Sequence, residues 1–175
     1  MPGKRVIVIT FAIGFIVGIV LLVGALYTYA RLGYIDFRAD QPVSQLEKSQ
    51  AMAFVDSSTG RNAPETKNPV PADEANLTAS LKLFQSHCSE CHGDINHDSS
   101  LSESFYPRPP QFQQDKPDME ENENFYLIKN GIRWTGMPAW KRSLTDQQIW
   151  QLVTFLSHID NLPAPVQEQW RALAK

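Results

Sequence analysis

The chain has 175 residues and a formal net charge of −3, with 16 lysines and arginines against 19 aspartates and glutamates. That length holds one ordinary domain plus an appendage. A charge balance so close to neutral supplies no basic field for nucleic acid, and no nucleic-acid partner is expected.

The appendage comes first. From Val6 to Ala30 the chain reads VIVITFAIGFIVGIVLLVGALYTYA, uncharged, with only threonine and tyrosine hydroxyls as polar side-chain groups. About 20 apolar residues suffice to cross a bilayer as a helix. Lys4 and Arg5 precede the run, and Tyr27, Tyr29 and Tyr34 stand where an interfacial aromatic belt would lie. A cleaved signal peptide is the competing reading, with Val23-Gly24-Ala25 as its cut site. The apolar part of such a peptide is usually ~7–15 residues, shorter than this run. Residues 1–30 are therefore expected to be a retained membrane anchor. Charge alone does not orient it, because Lys4 and Arg5 face Arg31 and Arg38 across the span.

Residues 31–71 read as an extended tether. They contain Pro42, Pro64, Pro69 and Pro71 and the polar stretch Asp56 to Asn62, with little apolar area to bury. A short helix is expected inside it, over Val43 to Val55.

Residues 72–175 read as a helical domain. Asp73 is placed to cap a helix from Glu74 to about Ser86. Leu77, Leu81, Phe84 and Cys88 form its apolar stripe. A proline-rich loop runs from Gly93 to Pro117. A second helix fits Asp118 to Lys129, stopped by Asn130-Gly131. A third opens on Thr145 with Gln148 three residues on, a capping-box pattern. It runs to about Ile159, with Ile149, Leu152, Val153 and Leu156 on its buried face. Val166 to Ala174 adds a short last helix. No convincing period-two alternation is found, so the expected fold class is all-α. A domain with few long helices and much loop buries little apolar surface by itself. A large planar cofactor would complete its core.

The two cysteines of the chain both lie in Cys88-Ser89-Glu90-Cys91-His92. Two thiols three apart, followed at once by histidine, form the attachment pattern for c-type haem. Positions i, i+3 and i+4 project to one side of a helical turn. Both sulfurs can reach neighbouring vinyl groups on one porphyrin edge, while the imidazole of His92 turns a nitrogen onto the iron. Three other readings compete. A thioredoxin-like redox pair needs βαβ units and no trailing histidine. A structural zinc site wants four ligands, and His87, His97 and His158 show no ligand pairing. A simple disulfide is the third.

Haem iron in electron carriers often has methionine opposite histidine. Met137 lies in Asn130-Gly-Ile-Arg-Trp-Thr-Gly-Met-Pro-Ala-Trp140, flanked by Gly136 and Pro138. The glycine allows close approach of the backbone, and the proline fixes the turn that aims the sulfur. Packing of a core gap is the other use of such a methionine. His97 is the rival ligand, but it follows His92 by only five residues.

Taken together, the helix Leu77 to Ser86, CSECHG, TGMPAW and LTDQQIWQLVTFL make Ala72 to Ile159 resemble a class I cytochrome c domain. Such domains occur in bacterial membrane-anchored cytochromes and in cytochrome subunits of respiratory enzymes. The resemblance implies one covalent haem c, held by Cys88 and Cys91, with His92 and Met137 as iron ligands. It implies that the first and last helices cross, with Trp150 against Ser80, where the family usually has glycine. It also implies that a proline carbonyl in Tyr106 to Pro110 accepts the other N–H of His92. Arg108, Arg133 and Trp134 are candidate donors to the haem propionates. Trp140 and Phe112 are expected to be pocket wall. Attachment of haem on the outer side of an energy-transducing membrane would place residues 31–175 outside, in the periplasm of a bacterium with two membranes.

A His/Met haem leaves no vacant iron position, so the expected function is one-electron transfer rather than catalysis. The partners are redox proteins, met either as a tethered shuttle or within a larger membrane complex of a respiratory or photosynthetic chain. A haem enzyme or small-gas sensor, in which Met137 dissociates, is the alternative. From Pro69 onward 14 acidic and 9 basic residues give a net of −5. Asp115, Asp118, Glu120, Glu121 and Glu123 either steer a basic partner or favour a helix N-terminus.

Overall fold

Twenty-eight residues, Lys4–Arg31, form α1, a helix about 42 Å long at 1.5 Å per residue. That exceeds the ~30 Å of a bilayer's hydrocarbon core. Its two threonines inside the apolar run are turned back on the helix: Thr10 Oγ1 donates to Val6 O at 2.9 Å and Thr28 Oγ1 to Gly24 O at 2.8 Å. None of its side chains is buried. The structure, a computed structural model, describes residues 3–174. Met1, Pro2 and Lys175, the outermost residues of the expected anchor and domain, lie outside the described residues. The chain divides into two units, Met1–Arg38 and Ala39–Lys175.

The regular elements of the second unit are all helices, and the described residues contain no strand. Its helices are α2 (Gln45–Asn62), α3 (Glu74–His87), α4 (Ser89–His92), α5 (Glu121–Asn130), α6 (Asp146–Ser157) and α7 (Ala164–Leu173). Short 3₁₀ turns occupy Ser100–Ser104 and Trp140–Arg142.

Capping residues fix where these helices begin. The Asp73 carboxylate accepts from the Asn76 N–H at 2.8 Å and opens α3. Thr145 and Gln148 form the reciprocal box at the start of α6, satisfying donors that the helix itself leaves unpaired. Glu120 and Glu123 do the same for α5, which begins at Glu121 rather than at Asp118.

The core is built by α3, α6, α5 and α7. Leu77, Leu81 and Phe84 of α3 meet the buried side chains of α6, Ile149, Trp150 and Leu152 to Leu156. Ser80 and Trp150 are both buried where those two helices pack. Ser80 turns its hydroxyl back to Asn76 O at 2.7 Å, which removes the penalty of an unpaired hydroxyl at a helix contact. Trp150 stacks on Phe125 of α5, with centroids 4.1 Å apart. Phe84 is the centre of an aromatic cluster. It lies 5.2 Å from Phe155, 5.8 Å from Trp170 of α7 and 6.2 Å from Phe112 in the proline-rich loop. Full burial of such side chains stabilises by roughly 1.5–3 kcal/mol each.

α2 differs from expectation. It begins at Gln45 rather than Val43 and runs through the polar stretch to Asn62, which the sequence predicts to be irregular. The reason is tertiary contact. Thr59 is buried, at 1 % exposure. Beyond the helix, Pro64 O accepts from Asn122 Nδ2 of α5 at 3.0 Å, and Asn68 Nδ2 donates to Thr154 Oγ1 of α6 at 2.9 Å. Docking of α2 onto α5, with the segment that follows bonded to α5 and α6, thus stabilises a helix that its own residues favour weakly.

Candidate functional site

Cys88 caps the end of α3, and α4 carries Cys91 and His92 on its single turn. The Cys91 and His92 N–H groups both donate to Cys88 O, at 3.1 and 2.9 Å. This turn brings the two thiols and the imidazole together. Both cysteines are free thiols. Burial, with the nearby Cys91 adding to it, pushes the Cys88 thiol up to about 12. Burial and then the Glu90 charge raise Cys91 as well. Burial lowers the His92 imidazole, outweighing the opposite pull of its hydrogen bond. The triplet is thus held neutral at neutral pH, and a neutral imidazole is the form that ligates a metal.

The loop from Gly93 to Glu120 supplies the support. His92 Nδ1 lies 2.9 Å from Pro110 O. A carbonyl only accepts, so Nδ1 carries the proton, and Nε2 is left without a hydrogen-bond partner among the described residues. Of the prolines in the expected segment, Pro110 is the one that binds His92. Phe112 stacks on the imidazole, with centroids 4.4 Å apart and rings 2° from parallel, and its N–H donates to His92 O at 3.2 Å. Between these two residues sits Gln111, buried, which sequence reasoning missed. Its Nε2 donates to Cys91 O at 3.0 Å and Pro109 O at 2.8 Å, and its Oε1 accepts from Ser99 N at 2.7 Å. Ser99 Oγ in turn donates to Glu90 O. A polar side chain in a proline-rich loop carries no sequence signal for this brace.

Met137 lies in the loop between α5 and the Trp140–Arg142 turn, half-buried against the core. Gly131 makes the entry. Its φ is +69°, and a Cβ there would stand 2.7 Å from the backbone of Met137, Pro138 and Ala139. Only glycine admits both the left-handed turn and the close approach. The loop is then closed by Ile132 N–H to Met137 O (3.2 Å) and Met137 N–H to Thr135 Oγ1 (3.0 Å). Gly136 receives the Phe105 ring, which a Cβ would meet at 2.6 Å.

The remaining expected residues are placed unevenly. Arg108 is half-exposed and built into its own loop. Its Nε donates to the buried Ser102 hydroxyl at 3.1 Å, and its guanidinium lies 3.6 Å from Asp98. Arg133 and Trp134 are exposed, the tryptophan at 92 %. His97, the rival ligand, is exposed and held 3.8 Å from Asp94. Trp140 is half-buried against the core and stacks on His87 at 5.2 Å. Its indole Nε1 is buried with no acceptor among the described residues. A buried donor without a partner is costly and rare.

The family model for cytochrome c oxidase, cbb3-type, subunit III matches residues 75–156. Residues 75–156 are a class I c-type cytochrome domain. Membership implies covalently bound haem and haem-based electron transfer. The chain's own residues fit that group. The cytochrome domain presents two free thiols beside an imidazole whose Nδ1 is already engaged, and it holds an indole N–H that lacks an acceptor. Among solved structures, a chain of the reducing HAO-like protein complex of Kuenenia stuttgartiensis is 19% identical with a TM-score of 0.44. The match covers 53% of this chain and 48% of that one, so this chain spans about half of that length. No curated protein matches the chain.

Proposed function

We propose that this protein is a membrane-anchored mono-haem cytochrome c that passes one electron at a time between redox proteins. The observation that carries the reading is the 2.9 Å bond between His92 Nδ1 and Pro110 O. It fixes the tautomer and ring orientation that a ligating histidine needs. The haem, when bound, supplies reversible one-electron exchange at iron. Cys88 and Cys91 would hold it by thioethers, and His92 and Met137 would be its iron ligands. Trp140 Nε1 would find its acceptor in a carboxylate of the group. Arg108, Arg133 and Trp134 remain candidates for the propionates, with Arg108 the one already braced. With His92 and Met137 both bound to the iron, no position would be left for oxygen or peroxide, which favours an electron carrier over an enzyme. The methionine sulfur favours reduced iron and raises the potential.

α1 supports the anchor: it is long enough to span a bilayer and buries none of its apolar side chains. The haem domain then belongs on the periplasmic side of a bacterial inner membrane, as a tethered shuttle or as a subunit of a respiratory or photosynthetic complex. Optical redox titration of the purified protein tests the reading. One single-electron wave with a positive midpoint, and a ferrous Soret band unchanged under carbon monoxide, are expected. A strongly negative midpoint, or ready carbon monoxide binding, would overturn it.

A further inference from the structure

Three aromatic rings close on one another inside the domain. Phe84 lies 5.2 Å from Phe155 and 5.8 Å from Trp170, and Phe155 lies 5.2 Å from Trp170. Phe84 and Phe155 belong to α3 and α6, within residues 75–156 that the family model matches. Trp170 comes from α7, outside that match. The indole is buried and meets both phenylalanines edge-on, at 81° and 70°. Edge-to-face pairs have a preferred geometry, so each ring limits how its neighbour turns. Gln85 Nε2 of α3 donates to Leu173 O at 3.1 Å and ties the end of α7 in place.

The contacts continue towards the thiol and imidazole turn. Phe84 is 6.2 Å from Phe112 in the proline-rich loop. Phe112 stacks on His92 at 4.4 Å, with the rings 2° from parallel. The bond from His92 Nδ1 to Pro110 O fixes one atom of the imidazole but not the plane of the ring. The stacked face of Phe112 fixes that plane. Rings therefore follow one another from α7 to the imidazole, in the order Trp170, Phe84, Phe112, His92. Closely packed side chains transmit a displacement to their neighbours.

We propose that Trp170 is a positioning residue for the His92 imidazole, acting through Phe84 and Phe112. α7 is then an addition to the cytochrome domain that sets the plane of the ring, where Pro110 sets its tautomer. The proposal rests on the reading of His92 as an iron ligand.

NMR of the full-length holoprotein in detergent micelles tests it. In the ferrous state, Overhauser contacts between the Phe112 and His92 rings read where the imidazole stands. In the ferric state, the spread of the haem methyl shifts follows the plane of a ligating imidazole. Trp170→Leu keeps an apolar side chain, removes the ring and should change both readouts. Trp170→Met, read the same way, replaces it if the leucine variant does not fold. Trp170→Phe should return both readouts to the wild-type pattern. It breaks no hydrogen bond, since Trp170 Nε1 has no acceptor among the described residues. Val166→Ala trims another fully buried side chain of α7, one outside the chain of rings. It should lower the melting temperature and leave both readouts unchanged. In a Phe112→Leu background, Trp170→Leu should move the methyl shifts no further. Wild-type readouts in Trp170→Leu, no recovery in Trp170→Phe, the same change from Val166→Ala, or a full further change in the Phe112→Leu background would each overturn the proposal. Altered ring contacts in Trp170→Leu with an unmoved methyl spread would uphold the positioning role and contradict His92 as the iron ligand instead.

Discussion

Pro110 O and His92 Nδ1 are 2.9 Å apart, joining the proline-rich loop to the Cys-x-x-Cys-His turn across 18 residues of chain. The bond leaves a single nitrogen of the imidazole for iron. It depends on a loop with little regular structure, so its rigidity must come from side-chain braces. Gln111 and Phe112, the next two residues, supply them.

Gln111→Leu keeps the volume and removes three hydrogen bonds, leaving Cys91 O and Ser99 N without these partners in a part-buried setting. Two unsatisfied backbone groups should cost about 2–4 kcal/mol of holoprotein stability. Denaturant unfolding measures it, and a loss under about 1 kcal/mol would remove Gln111 from the account.

Phe84 lies within 6.2 Å of three aromatic rings, from α6, α7 and the loop. Phe84→Ala should lower stability by about 3–5 kcal/mol, the range for a fully buried aromatic. Thermal or chemical denaturation checks it. An effect below about 1.5 kcal/mol would mean that the cluster rearranges freely.

Thr145 caps α6 from the residue just before the helix. Thr145→Ala should cost about 1 kcal/mol and Thr145→Ser much less, because serine keeps the accepting oxygen. Equal losses in the two variants would show that the threonine methyl, not the cap, matters.

The legible parts of this chain are those set by local chemistry. The Cys88 to His92 spacing, the glycine and proline around Met137, and the caps Asp73 and Thr145 each state their purpose within a few residues. Contacts between distant segments were not legible. Any of the prolines between Tyr106 and Pro110 could have faced His92 on sequence grounds, and the three-dimensional path of the loop selects Pro110. The polar residues Asp56 to Asn62 are helical where Thr59 is buried and the following segment is bonded to α5 and α6. Trp134, a candidate donor to the haem propionates through its indole N–H, takes a left-handed backbone conformation that leaves no mark in the sequence.

Intact mass of the membrane-extracted protein separates anchor from signal peptide. Retention of Lys4–Arg31, with release only by detergent, is expected. A mature chain beginning after Ala25 would show that α1 is removed.

One-electron transfer by this protein depends on His92 and Met137 ligating one haem iron. The most direct measurement is the weak far-red absorption band that methionine sulfur gives to ferric haem, recorded for the wild type and for Met137→Ala. The band is expected in the wild type and should be lost in the variant, with the haem still covalently attached. Absence of the band from the wild type, or its survival in Met137→Ala, would contradict the assignment.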